Sequence, residues 1–242
     1  AGIHPKSYGI RLDSGDLAYL SKKARKMLDE AGFPDAVIAA SNDLDEFLIN
    51  DLKIQGAAIT SWGVGTNLIT SKDCPSFGGV YKLAAIQNKD GEFVPKIKIS
   101  ENIEKITNPG NKTIYRIYDK DTGKIRADLI CFADETYDTS EDLLLFDPNS
   151  TWKKTRLEGG TYTMKDLLIP IFDKGKCVYT SPTVMEMQEH CNREKATLWN
   201  ENLRFVNPAE IYVDLSDKLY NLKNRVFAEL SEAKYSQTSD QA

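Results

Sequence analysis

Arg11, Asp13, Ser14, Gly15 and Asp16 stand where a short apolar run gives way to a helical pattern. Two comparable polar turns follow, Ser41-Asn42-Asp43 and Gly63-Val64-Gly65-Thr66, each after its own apolar run. Carboxylates accept hydrogen bonds from vicinal hydroxyls, and glycine turns offer backbone N–H groups to an anion. A strand-end arginine pairs with a carboxylate or stacks on a flat ring. Together these residues fit a ribose-phosphate ligand, and so a phosphosugar or nucleotide enzyme. Each segment also has a plainer reading. Asp13 or Ser14, and any of Ser41 to Asp43, suit helix N-caps, and a bare G-x-G is a common tight turn. Arg11 and Asp13 lie two residues apart in a strand pattern, so their side chains share a face. On a core face such charges are costly unless paired or bound to a ligand.

The elements that would position these turns are legible from periodicity. Residues 8–12 read as a strand, and Leu17, Leu20, Ala24, Met27, Leu28 and Ala31 recur at helical spacing before Gly32 and Pro34 end the helix. Ala36 to Ala40 is a continuous apolar run suited to a strand buried on both faces. A helix is expected from Leu44 to Lys53 and a third strand from Ala57 to Ser61. Three successive strand–polar turn–helix units predict a parallel α/β sheet or barrel, whose strand ends share the rim where such folds assemble their sites. From residue 79 to 180 the texture is short, alternating and β-rich ("GGVYKLAAI", "PKIKIS", "KTIYRIYD", "KIRADLICF"), which predicts a mostly antiparallel region packed on the α/β part. Residues 181–242 read as C-terminal helices and a tail, with one helix opened by Ser181-Pro182 and running to Trp199, and another from Asp217 to Ala233.

Composition narrows the partners. The 242 residues carry a net charge of −5, with no basic stripe interleaved with aromatics, which disfavours nucleic acid and anionic membrane. The cysteines Cys74, Cys131, Cys177 and Cys191 form no C-x-x-C pair, which suits a reducing cytoplasm and offers no metal site. No apolar stretch approaches the roughly 20 residues of a membrane span. His4 and His190 lack metal-ligand spacing and read as surface or boundary residues, and the lysines of 22–26 as a solvated helix face. "KITNPGNKTIYR" reads as a turn and edge strand from which Lys105 or Lys112 could reach a phosphate. The chain begins without Met and enters a strand pattern within its first ten residues, as a piece of a longer polypeptide would.

The blocks "GIRLDSGDLAYLSKKARKMLDEAGF", "ASNDLDEFLINDLKIQGAAITSWGVGTNL", "GGVYKL", "KITNPGNKTIYR" and "NPAEIYVDLSDKLYNLKNRV" resemble the nicotinate phosphoribosyltransferase family, in its C-terminal half. The resemblance implies part of a type II phosphoribosyltransferase (β/α) barrel over residues 1–78. It implies synthesis of nicotinate mononucleotide from nicotinate and 5-phosphoribosyl 1-diphosphate, for NAD biosynthesis, with Mg²⁺ and with ATP hydrolysis coupled through a phosphorylated histidine. It implies that Arg11 lies by the pyridine ring and phosphoribosyl group and Asp13 by the ribose, as the catalytic pair. Asn42 and Asp43 would contact the sugar and Gly63, Gly65 and Thr66 the 5-phosphate, with Ser14, Gly15, Asp16 and Val64 completing the substrate-binding set. Neither His4 nor His190 stands in the context of the phosphorylated histidine, and three βα units cannot close an eight-stranded barrel. The expectation is a cytoplasmic half-site that borrows an N-terminal complement, as a second chain or a preceding segment, within a homodimer. The other classes are a non-catalytic subunit or fragment, and an unrelated phosphosugar barrel enzyme, which usually needs a catalytic Lys or Glu that these three strand ends lack.

Overall fold

The computed structural model describes residues 7–76, 78–98, 100 and 105–239, which divide into compact units over residues 1–80 and 81–242. In the first unit, β1 (Gly9–Leu12), α1 (Leu17–Glu30), β2 (Val37–Ala40), α2 (Glu46–Ile54), β3 (Ser61–Trp62) and α3 (Thr66–Ile69) alternate. The three strands make a parallel sheet in the order β1-β2-β3, with Arg11 opposite Ala39 and Ala39 opposite Ser61. Leu17 and Ala18 of α1 and Leu52 of α2 bury their apolar sides with Ala40 and Leu44, and Leu12, Trp62 and Val64 close over them. Gly9 is required where β1 meets β2: a Cβ there would stand 2.2 Å from the Val37 carbonyl oxygen.

Both helix starts differ from the sequence expectation. The N-cap of α1 is Asp16, which accepts from the Tyr19 N–H at 2.9 Å, so neither Asp13 nor Ser14 fills that position. The N-cap of α2 is Asp45, accepting from Leu48 N–H at 2.8 Å, two residues beyond Ser41-Asn42-Asp43. Several candidates satisfied the capping preference, and the strand ends decide among them, because each chain needs a few extra residues to turn from strand to helix. The third strand is likewise shorter than the apolar run. The Ser21 hydroxyl, fully buried on α1, accepts from Ala58 N–H at 3.1 Å, and Thr60 Oγ1 accepts from Ile38 N–H while Thr60 N–H still donates to the Ile38 carbonyl at 2.9 Å, so side chains share the pairing just before β3. Lys22, Lys23 and Lys26 are exposed, while Arg25 among them donates to Asp29 and to the carbonyls of Phe33 and Ala36, tying the end of α1 to the start of β2.

The second unit contains β4 (Ala85–Gln87), β5 (Phe93–Pro95), β6 (Lys112–Asp119), β7 (Ile125–Phe132), β8 (Leu143–Phe146), β9 (Lys154–Leu157), β10 (Tyr162–Asp166), β11 (Phe172–Asp173), β12 (Lys176–Cys177), α4 (Val184–Ala196), β13 (Val213–Leu215) and α5 (Asp217–Ser239). Its main sheet runs β10-β6-β7-β13, antiparallel except that β13 joins β7 in parallel. Ile117, Ala127 and Leu129 of that sheet pack against Leu145, Leu157 and Tyr162. Residues 79–83 carry no strand, and among the described residues of "PKIKIS" only Pro95 lies in one. The cap of α4 is Thr183 in a reciprocal box with Glu186, so Ser181-Pro182 precede the helix. The helix ends at Ala196, and the Trp199 ring instead donates to the Ile125 carbonyl at 2.6 Å.

Candidate active site

The C-terminal ends of β1, β2 and β3 face one rim because the strands are parallel. Backbone bonds hold the turns together there: Ser41 N–H donates to Leu12 O at 2.9 Å and Gly63 N–H to Ala40 O at 2.7 Å. Asn67 completes the set. Its side-chain amide donates to the carbonyls of Asp43 and Leu44, at 2.9 and 3.1 Å, so the third turn is fastened to the second. The rim thus assembles from residues up to 56 positions apart, as Arg11 and Asn67 are in the chain.

With Asp16 and Asp45 acting as caps, the other polar side chains of the rim are released. Arg11 donates to Asp13 at 2.8 Å, with side chains 68 % and 50 % exposed. The pair therefore forms, but not on a core face; β1 is an edge strand of the described sheet, and the pair stands in solvent. Asn42 and Asp43 are both exposed, with backbone φ of 92° and 46°. Two successive left-handed residues are uncommon outside glycine and turn this loop sharply outward. Gly15 adopts φ 77°, which allows the tight reversal between Asp13 and the Asp16 cap.

The third turn divides its labour. Val64 packs its side chain into the core, while Gly63, Gly65 and Thr66 are exposed. The backbone N–H groups of Val64, Gly65 and Thr66 meet no acceptor among the described residues, and a Cβ at Gly65 would touch nothing within 4 Å. The turn therefore has unpaired donors and, at Gly65, open space. Among the described residues no group of three or more His, Cys, Asp or Glu could hold a metal ion by itself.

The remaining sequence candidates lie elsewhere. Lys112, in the second unit, is half-buried and donates to the Gly110 carbonyl at 2.5 Å, and burial pushes its pKa down. Lys105 is exposed, His190 lies on an exposed face of α4, and His4 is outside the described residues. Sequence reasoning missed Asn67. The available signal was an amide side chain directly after the glycine turn, but its acceptors lie 23 and 24 positions away, beyond the reach of local patterns.

The chain matches relatives over nearly its full length. The human nicotinic acid phosphoribosyltransferase crystal structure superposes on 91 % of it with a TM-score of 0.67, at 24 % identity and over 40 % of that chain. The fold is accordingly that of the α/β type II phosphoribosyltransferases. Residues 111–223 match the nicotinate phosphoribosyltransferase C-terminal domain. The Bacillus subtilis nicotinate phosphoribosyltransferase is 46 % identical over 232 residues, covering 93 % of this chain and 47 % of that protein. The Caenorhabditis elegans enzyme of the same name is 35 % identical, over 89 % of this chain and 39 % of that protein. The chain belongs to the nicotinate phosphoribosyltransferase family and spans about half the length, or less, of the curated relatives it matches.

Proposed function

We propose that this chain supplies the phosphoribosyl-binding half of a nicotinate phosphoribosyltransferase, which forms nicotinate mononucleotide and diphosphate from nicotinate and 5-phosphoribosyl 1-diphosphate in NAD biosynthesis. The observation that carries the reading is the release of the rim: Asp16 and Asp45 cap the helices, leaving Asp13, Asn42, Asp43 and three consecutive N–H groups without that task. Family membership supports the substrates, which are those named for its relatives.

In this reading the 5-phosphate accepts hydrogen bonds from the N–H groups of Val64, Gly65 and Thr66 and from the Thr66 hydroxyl. The ribose hydroxyls donate to Asp13 and Asp43, with the Asn42 amide beside them and Ser14 and Gly15 shaping the turn. Arg11, already directed by Asp13, faces the nicotinate carboxylate and ring. The pyridine nitrogen attacks the anomeric carbon as the bond to diphosphate breaks, and positive charge builds on the ribose ring. Fixed carboxylates favour that charge more in the transition state than in the ground state. Asp13 and Asp43 offer the hard oxygen donors that Mg²⁺ takes when it is carried in on phosphates. When bound, the ion would neutralise the departing diphosphate.

ATP coupling, with its phosphorylated histidine, belongs to the N-terminal complement in this reading, as does closure of the (β/α) barrel. The working assembly in this reading is a homodimer. Four unpaired cysteines support a reducing, cytoplasmic setting, and no described helix is long and apolar enough to cross a membrane. The test is the Asp13→Ala variant in the assembly of this chain with its N-terminal complement. Nicotinate mononucleotide formation should fall about 100-fold or more, the scale of losing one transition-state electrostatic contact. Near-normal turnover would remove the rim from the mechanism, and an assembly inactive with every variant and with the native chain would favour a non-catalytic role.

A further inference from the structure

The buried Asp128 and the half-buried Glu135 of the second unit have partners. Asp128 takes two hydrogen bonds from Arg116, and Glu135 accepts from Phe132 N–H, the Ser216 hydroxyl and the Tyr137 hydroxyl. Asp214 is the exception. It sits on β13, opposite Leu129 of β7, only 5 % exposed, and no hydrogen-bond donor or cation among the described residues reaches its carboxylate. Burial pushes its pKa up, and the neighbouring Asp147 adds to that. Such a carboxylate is costly unless water or a ligand meets its charge from the open side of the cleft that it lines.

Asp214 lines a cleft of about 340 Å³ between β7, β8, β9 and β13, a volume in the range of small-molecule sites. Leu145, Phe146 and Leu157 supply its apolar floor, and Tyr212 is exposed at its side. Arg126, Lys153 and Lys154 bring positive charge to the same cleft. Arg126 is committed to Asp119 at 3.0 Å and Lys153 stands 3.9 Å from Asp147, whereas Lys154 makes no ion pair among the described residues. The cleft therefore offers one unmatched anion inside, one unmatched cation outside and an apolar, partly aromatic surface between them.

We infer that this cleft is a second ligand site, separate from the rim, for a mononucleotide whose base carries an amino group. The base amino group donates to Asp214, the ring lies against Tyr212, and the phosphate is held by Lys154 with Lys153 beside it. A ligand with an anion alone satisfies the mouth and leaves Asp214 unmet, so ribose 5-phosphate is the discriminating control. The site requires no chemistry at the rim and stands whether or not the rim turns over substrate.

Calorimetric titration of the 242-residue chain with AMP tests this. AMP should bind saturably, ribose 5-phosphate at least about tenfold more weakly, the scale of one lost charge-assisted hydrogen bond. Binding should survive Asp13→Ala, which alters the rim, and weaken about tenfold in Asp214→Ala and in Lys154→Ala. Asp214→Ala should melt at the same temperature as the native chain or higher, since it removes an unpartnered buried charge. Lys154→Ala changes an exposed side chain and keeps the test valid if the Asp214 variant folds poorly. No saturable AMP binding, or AMP binding lost in Asp13→Ala and kept in Asp214→Ala and Lys154→Ala, would overturn the inference.

Discussion

In the second unit Arg116 holds Asp128 by two hydrogen bonds of 2.8 and 2.9 Å, with side chains only 22 % and 13 % exposed. In the first unit the Arg11–Asp13 pair has the same residue types and a 2.8 Å bond, yet stands in solvent. The first arrangement locks a sheet: β6 and β7 are cross-linked by charge, and Arg116 is held in its charged form chiefly by its hydrogen bond to Asp128. The second arrangement contributes little to stability, since exposed pairs are worth about 0–1 kcal/mol. A chain that directs such a pair to a rim of parallel strands, and caps both adjoining helices with other residues, leaves it free for a ligand. The two Arg–Asp pairs thus differ in use: one holds strands together and the other is left available.

The largest effect that would sharpen this contrast lies in the β core. Leu129→Ala, at a site 2 % exposed, should cost about 3 kcal/mol in denaturant unfolding of the full chain. A cost below about 1 kcal/mol would mean that the cluster around Leu129 is not the main source of cohesion. Gly9→Ala comes next. Its new Cβ would meet the Val37 carbonyl and should destabilise the β1–β2 pairing by about 2 kcal/mol, read by hydrogen exchange at Ile10 and Ala39. Full protection there would show that the strands do not approach so closely.

Asn67→Ala should be milder, about 1 kcal/mol, because the exposed Asp43 carbonyl can turn to water. Its signature is kinetic: KM for the phosphoribosyl donor should rise more than kcat falls, because the second and third turns lose their fastening. A fall in kcat alone would contradict a positioning role. The smallest effect is alkaline. Burial, with Glu135 nearby, raises the Cys131 thiol from about 9 to about 11. The folded chain then keeps a proton that the unfolded chain has lost, so stability is present below about pH 9 and is lost as pH rises toward about 11. Tyr137, also raised by burial, acts in the same direction. Cys131→Ala should flatten this part of the stability profile, and an unchanged slope would assign it to other groups.

Much of this was legible in the sequence, and the failures share a cause. The strand at 9–12, the helix that follows and the long β6–β7 hairpin declare themselves by period, because each is defined by neighbours in the chain. Asp13 and Asp16 are equally good caps by type, and only the point where β1 stops selects Asp16. The same holds for Asp43 against Asp45. The shortened β3 depends on Ser21, 37 positions from its partner Ala58, and β13 is three residues whose identity as a strand comes from β7. Arg11 and Asp13 were recognisable as a same-face pair, but their exposure depends on which strand lies at the edge of the sheet. Local pattern thus identified the rim residues, and long-range contacts decided which of them are free.

The central claim is that the rim pair serves chemistry while a chemically equivalent pair elsewhere does not. Arg156 and Asp142 make another exposed Arg–Asp pair, in the second unit, with Asp142 also accepting from Gly159 N–H. The most direct measurement compares Asp13→Ala with Asp142→Ala for nicotinate mononucleotide formation by the chain assembled with its N-terminal complement, beside the melting temperature of each. The account predicts a loss of about 100-fold or more with little change in melting for Asp13→Ala, and near-native turnover with lowered melting for Asp142→Ala. Equal turnover in the two variants would contradict it.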